Sequence, residues 1–212
     1  MRTGPGTAVI ALGGNALAPA GQRATIYDQF RHTRESLAPI VELARVGWNV
    51  CVVHGNGPQV GDELVRNDLA RVQADPLPLG VLVAATAGWI GYMLQQSIGN
   101  ALRKEGSPRS VVTLITQVQV DPADPALGTP SKFIGRALSE DQARAIVAEG
   151  HLVRPDGNGR LRRVVGSPVP MSIPELPLIK ECVDRGTIVI ACGGGGVPVY
   201  RHPTLGWEGL DA

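Results

Sequence analysis

Three short apolar runs, each stopped by glycine, limit what this chain can fold into more than any other feature. Thr7–Leu12 (TAVIAL) runs into Gly13-Gly14-Asn15, and Asn49–Val53 into His54-Gly55-Asn56-Gly57-Pro58. Thr187–Cys192 runs into Gly193-Gly194-Gly195-Gly196. Short runs that are apolar without alternation read as strands buried on both faces, which is how parallel sheets are built. Between them apolar residues recur with a helical period. Tyr27, Phe30, Leu37, Ile40, Val41 and Ala44 mark a helix over 27–45, with a kink or restart at Pro39 and a cap at Gly47. Helices are expected near 59–72 and 79–104, the latter with Trp89, Tyr92 and Met93 on its core face, and a third strand at 110–120.

Residues 121–170 differ in character. Asp121-Pro122, Asp124-Pro125 and Thr129-Pro130 are turn dipeptides, 139–148 reads as a short helix, and Pro155-Asp156-Gly157-Asn158-Gly159 as a hairpin turn. The pattern implies an α/β fold with a largely parallel central sheet covered on both faces. It divides into an N-terminal core (1–120), a small protruding subdomain (121–170) and a return to the core sheet (171–212), where 202–212 closes with no helix or strand.

Composition narrows the function. A net charge of +1 with 18% charged residues gives no basic excess to draw nucleic acid or a membrane surface. No stretch has the length of a membrane span or the pattern of a signal peptide, and Cys51, Cys182 and Cys192 form no C-x-x-C pair. A cytoplasmic protein with reduced thiols is expected. His32, His54, His151 and His202 are too scattered for a zinc site, so no protein-built metal centre is expected. His54 reads as a structural histidine, and Arg162 and Arg163 as an exposed hairpin pair.

The chemistry lies in the glycine turns. In open α/β sheets ligands collect at the carboxyl ends of the strands. Glycine lets backbone N–H groups close around a polyanion, as phosphoryl transfer requires. Neither G-x-x-x-x-G-K-[ST] nor G-x-G-x-x-G occurs, so a nucleotide would be handled by a different arrangement of loops. Only three of the basic residues are lysines, Lys104, Lys132 and Lys180. Lys104 suits a helix C-terminus and Lys180 a helix surface; a lone lysine such as Lys132 is ordinarily a solvated charge, though a compact ammonium can also hold a small anion.

The ordered set of motifs resembles carbamate kinases of the amino-acid-kinase superfamily. It comprises Leu12-Gly13-Gly14-Asn15-Ala16-Leu17, His54-Gly55-Asn56-Gly57-Pro58-Gln59-Val60-Gly61, Trp89-Ile90-Gly91-Tyr92, Thr116-Gln117-Val118, Pro130-Ser131-Lys132, Arg162-Arg163-Val164-Val165 and Ile190 to Pro198. The resemblance implies an amino-acid-kinase-like three-layer sandwich that transfers a phosphoryl group between ATP, as its Mg2+ complex, and carbamate in arginine breakdown. Gly13, Gly14 and Asn15 would hold the transferring group; Gly55, Asn56 and Gly57 would line the carbamate side. Lys132 would reach in from the subdomain, Gly194 and Gly195 would border the pocket, and the chain would form a homodimer.

Several positions depart from the family pattern. Phe133 stands for proline, Arg136-Ala137 for Pro-Phe and Ala87 for glutamine. The sequence stops at Ala212, where the family runs on into a lysine- and aspartate-bearing segment and most of the nucleotide pocket. The fold is therefore expected to be incomplete at its C-terminus, with a bare sheet edge and reliance on self-association. Two other readings stay open: an inactive fragment that keeps only anion binding or subunit contacts, and a related kinase acting on an amino-acid carboxylate.

Overall fold

The protein was analysed as a computed structural model, which describes residues 5–13, 17 and 25–212. Its chain forms two compact units: Met1–Asn56, Ala84–Gln117 and Pro174–Gly196 in one, Gly57–Val83, Val118–Ile173 and Val197–Ala212 in the other. The excursion expected at 121–170 lies inside the second, which also takes in segments on either side of it.

The first unit is built on four strands: β1 (Thr7–Leu12), β2 (Asn49–His54), β3 (Val111–Thr113) and β8 (Ile188–Ala191). They lie in the order β1-β2-β8-β3, and every pairing is parallel. Helix α1 (Ile26–Glu35) starts at Thr25, whose hydroxyl accepts from Asp28 N while the Asp28 carboxylate accepts from Thr25 N. The expected restart occurs: α1 ends at Glu35, and α2 (Ala38–Arg45) begins with Pro39 in its first turn, where the missing N–H costs nothing.

Successive strand residues face opposite sides. Leu12, Val50, Val52, Ile188 and Ile190 pack with Ile40 and Ala44 of α2 and with Ile90, Met93, Leu94, Ile98 and Leu102 of helix α4 (Leu79–Lys104). Helix α7 (Leu176–Asp184) packs on β8 and β2 through Ile179 and Val183, and Cys51, Val189 and Ala191 are buried as well. Strand β1 is an edge among the described residues, and its Thr7, Val9 and Ala11 side is exposed, Val9 by 68%. The expectation that Thr7–Leu12 is buried on both faces therefore fails on this side.

Arg109 fastens the opposite rim. Its Nε donates to Gly186 O (2.7 Å), and its Nη1 donates to Trp48 O (2.6 Å) and Ala44 O (3.2 Å). One guanidinium thereby satisfies carbonyls at the C-terminal ends of α2 and α7.

In the second unit, helix α3 (Gly57–Ala70) and the first turn of α4 bury Val60, Leu64, Leu79, Leu82 and Val83 with Ile134 of β5 (Lys132–Ile134). Strand β5 pairs antiparallel with β7 (Leu161–Val165), and β7 with β6 (Leu152–Pro155), across the turn expected at 155–159. Helix α6 (Glu140–Ala148) is capped by a Ser139–Gln142 box, and α5 (Pro125–Gly128) is one turn capped by Asp124.

Three expectations are corrected. The single strand at 110–120 is two: β3, and β4 (Gln117–Gln119) in another sheet. Thr116 breaks the run, because its hydroxyl donates to Leu114 O (2.9 Å) and accepts from Cys192 N (3.0 Å). Residues 202–212 do contain a strand. Gly206–Gly209 (β10) pairs antiparallel with Val197–His202 (β9), and His202 Nδ1 accepts from Thr204 N and Leu205 N in the turn. Tyr92 is not core. It is 58% exposed, its ring edge-on to Phe30 at 6.1 Å, whereas Met93 is fully buried.

Candidate active site

A parallel sheet brings the carboxyl ends of all its strands to one rim, so the exits of β1, β2, β3 and β8 lie together in the first unit. Leu12 O, the last carbonyl of β1, accepts from Gly55 N at 3.0 Å and ties the first two exits to each other. Gly13 follows Leu12 and is exposed, and a Cβ built on it would meet no described atom within 4 Å. Gly14 and Asn15 lie outside the described residues.

The exit of β8 has the most distinctive backbone. Cys192 is the one non-glycine residue with positive φ among those described (52°), and Gly194, Gly195 and Gly196 follow at 67°, 96° and 90°. Glycine adopts such values with the least strain, which accounts for Gly194, Gly195 and Gly196. Gly195 N and Gly196 N close the turn on Cys192 O and Gly193 O.

The exit of β2 supports this loop from beneath. A Cβ on Gly193 would stand 2.7 Å from His54 Nε2 and 2.8 Å from Ala87 Cβ; one on Gly194 would stand 2.3 Å from Asn56 Nδ2. His54 (5% exposed) and Asn56 (7%) therefore fill the space that side chains at 193 and 194 would need. Asn56 Nδ2 donates to the fully buried Thr86 hydroxyl at 2.9 Å, which fixes the amide. His54 Nδ1 lies 3.0 Å from Gly55 O, a contact in which Nδ1 carries the proton. Burial pushes the His54 pKa below its ordinary 6.5, against the opposing pull of Gly55 O, so the ring stays neutral at neutral pH. The reading of His54 as structural holds, and its place under the glycine loop adds to it. Burial also raises the Cys192 thiol, opposed by its hydrogen bond to Thr116.

Of the residues singled out from the sequence, Gly13, Gly55, Asn56, Gly194 and Gly195 share this rim. Gly57 opens α3 in the second unit, and Lys132 stands there too, exposed at the start of β5 opposite Val165. Arg162 and Arg163 point to opposite faces of their strand and are not an exposed pair. Arg162 donates to Gly135 O (2.6 Å) and lies over the Phe133 ring; Arg163 is half-buried against His151. Thr86 and Thr116 were not anticipated. The only signal was one hydroxyl amid the apolar face of α4 and one at the break in a strand pattern.

The sequence profile of the amino acid kinase family matches residues 6–206. The chain belongs to that family. A carbamate kinase of Pyrococcus furiosus is 44% identical over 194 residues, which is 90% of this chain and 62% of the relative. One of Staphylococcus epidermidis is 42% identical over 207 residues, 96% of this chain and 65% of the relative. Among solved structures, a Giardia lamblia carbamate kinase bound to citric acid superposes with a TM-score of 0.91 at 36% identity, covering 100% of this chain and 68% of that one. The same enzyme bound to AMP-PNP gives 0.87 at 35% identity, covering 100% and 67%. The chain thus has the amino-acid-kinase α/β fold. It spans under two thirds of the length of the Pyrococcus and Staphylococcus relatives.

Proposed function

We propose that this family member is a carbamate kinase. A carbamate oxygen attacks the γ-phosphorus of ATP, the β–γ bridging bond breaks, and ADP leaves with the electron pair, giving carbamoyl phosphate. Run backwards, the reaction makes ATP during arginine breakdown. The observation that carries this reading is the convergence of three glycine-bearing strand exits on one rim of the parallel sheet. Such a rim stabilises charge on transferring phosphoryl oxygens and needs no nucleophile of its own. The carbamate kinase relatives supply the acceptor, and the AMP-PNP complex of the Giardia enzyme supports a nucleotide donor.

In this reading Gly13, Gly14 and Asn15 cradle the phosphoryl group, Gly55, Asn56 and Gly57 face the carbamate, and Gly194 and Gly195 border the pocket. The Lys132 ammonium neutralises charge that grows on the oxygens. Mg2+ arrives with the nucleotide as part of the substrate, held by its phosphates; no cluster of three metal-ligating side chains occurs among the described residues. The working assembly is a homodimer in the cytoplasm; among the described residues no helix is long and apolar enough to cross a membrane.

The test couples ATP formation from ADP and carbamoyl phosphate to a reporter enzyme. ATP should form with the wild-type chain, and Lys132→Ala should lower kcat by about 10²–10³-fold, the cost of losing one electrostatic stabiliser. Turnover with an amino-acid carboxylate and ATP, but none with carbamoyl phosphate, would point to the carboxylate kinase. Calorimetric silence with ATP, beside weak binding of carbamoyl phosphate or sulfate, would favour the fragment reading.

A further inference from the structure

We infer that His54 is a positioning residue for the glycine loop Cys192–Gly196: its imidazole fills the space beneath Gly193 and, with Asn56 beneath Gly194, sets the turn that this loop takes at the rim. The inference extends the kinase reading and rests on it only for its activity arm.

Four observations lead to it. First, the contact is too close for a side chain at 193, with His54 Cε1 and Nε2 both 2.7 Å from a Cβ built there. Second, His54 and Asn56 are spaced i and i+2 at the end of one strand and meet two consecutive glycines, so the β2 exit matches the loop tooth by tooth. Third, both wedges are anchored, His54 through Nδ1 to Gly55 O and Asn56 through Thr86. A side chain that merely filled volume would need neither anchor. Fourth, the loop is held by few bonds of its own. Gly195 N and Gly196 N close it internally and Cys192 N ties it to Thr116, while Cys192, Gly194, Gly195 and Gly196 keep the positive φ values found there. Glycine on this scale is permissive, so the loop's own sequence does not select one geometry. The wedges supply the selection.

The consequence for chemistry is geometric. Donors that stabilise a phosphoryl group act only at hydrogen-bond distance, and a displacement of about 1 Å can cost on the order of 100-fold in rate. Removing the imidazole would let the loop sag towards β2 with the fold otherwise retained.

The experiment reads the loop directly. Backbone amide resonances are assigned in the uniformly 15N-labelled full chain, then compared with His54→Ala and His54→Gln. The expected result is that the amides of Gly193 to Gly196 shift or broaden in His54→Ala, while those of α1 and α6 stay in place. His54→Gln, whose amide can still meet Gly55 O and reach Gly193, should restore most of the wild-type positions. In the coupled assay His54→Ala should lower kcat about 10- to 100-fold with KM for ADP changed less than threefold. Gly193→Ala should shift the same resonances, and His54→Ala/Gly193→Ala should shift them less than Gly193→Ala alone, because the ring that opposes the new methyl is gone. Should His54→Ala fail to fold, the comparison is made between His54→Gln and His54→Asn, the shorter side chain shifting the loop more. Unmoved glycine resonances in a folded His54→Ala or His54→Asn would overturn the inference. A wild-type chain with no activity would overturn the kinase reading and leave the spectral result to judge the wedge.

Discussion

Gly194 and Gly195 are neighbours in sequence with similar φ values, 67° and 96°, yet they meet different surroundings. A methyl on Gly195 enters open space, so Gly195→Ala meets only the left-handed backbone penalty, about 1–2 kcal/mol. A methyl on Gly194 lands 2.3–2.5 Å from the Asn56 side-chain amide, which Thr86 holds in place. Overpacking then adds about 1–3 kcal/mol to the same penalty. Urea unfolding should find Gly194→Ala the less stable of the two by that margin, and equal midpoints would contradict the packing. The pair also shows where sequence reading stops. The glycine run announces a loop of unusual backbone, and the strand before it announces the rim. What lies under the loop comes from His54 and Asn56, about 140 positions earlier, and no local pattern records that contact. Thr116 escaped for the same reason, since its partner Cys192 is distant in the chain. Tyr92 was misread because an aromatic on an apolar helix suggests core, whereas its ring meets only the edge of Phe30.

Elements with a strong period were legible. The strands β2 and β8 and the 26-residue helix α4 lie where their apolar patterns place them, whereas β1 is found in place but exposed along one side. The failures are elements that depend on partners: β3 and β4 were one run until Thr116 bent it, and β10 exists because β9 offers it an edge. Helix α3 shows the same dependence at closer range. Gly61 stands in its second turn, and a Cβ there would fall 2.5 Å from the Cα of Gly135, whose φ of 68° follows β5. The obstacle is backbone and cannot rotate away. Gly61→Ala should therefore destabilise by about 1–3 kcal/mol, although alanine is intrinsically the better helix former by about 1 kcal/mol. Gly99, in α4, meets nothing within 4 Å, and Gly99→Ala should stabilise by about 0.5–1 kcal/mol. Opposite signs for one substitution type, read from melting temperatures, test the α3–β5 approach. Stabilisation in both would refute it.

At the scale of the whole chain the stability should depend on pH through its buried histidines before its carboxylates matter. His54 is held below its ordinary 6.5 by burial, and His151 by burial first and the neighbouring Arg163 second. In the unfolded chain both titrate near 6.5. As pH falls through that value the unfolded state takes up protons that the folded state refuses, so the unfolded state binds more protons and stability drops. The contribution is complete above about pH 7 and is lost towards the depressed folded values, the buried His54 supplying more of it than the partly exposed His151. The carboxylates act lower. Asp28 is held down by its hydrogen bonds to Thr25, and Asp124 by those from Val169 N and Ala126 N; both lie below the ordinary 3.8. Their stabilising effect is present above that value and disappears only in stronger acid. Urea midpoints at pH 7.5, 6.5 and 5.5 should fall steadily, and a further fall should follow below about pH 4. His54→Gln, which cannot be protonated, should flatten the first limb in part, because His151 in the second unit still titrates, and should leave the acid limb unchanged. Midpoints that stay level between pH 7.5 and 5.5 would mean that neither imidazole is shielded from water, and the packing of His54 beneath the glycine loop would fall with that result.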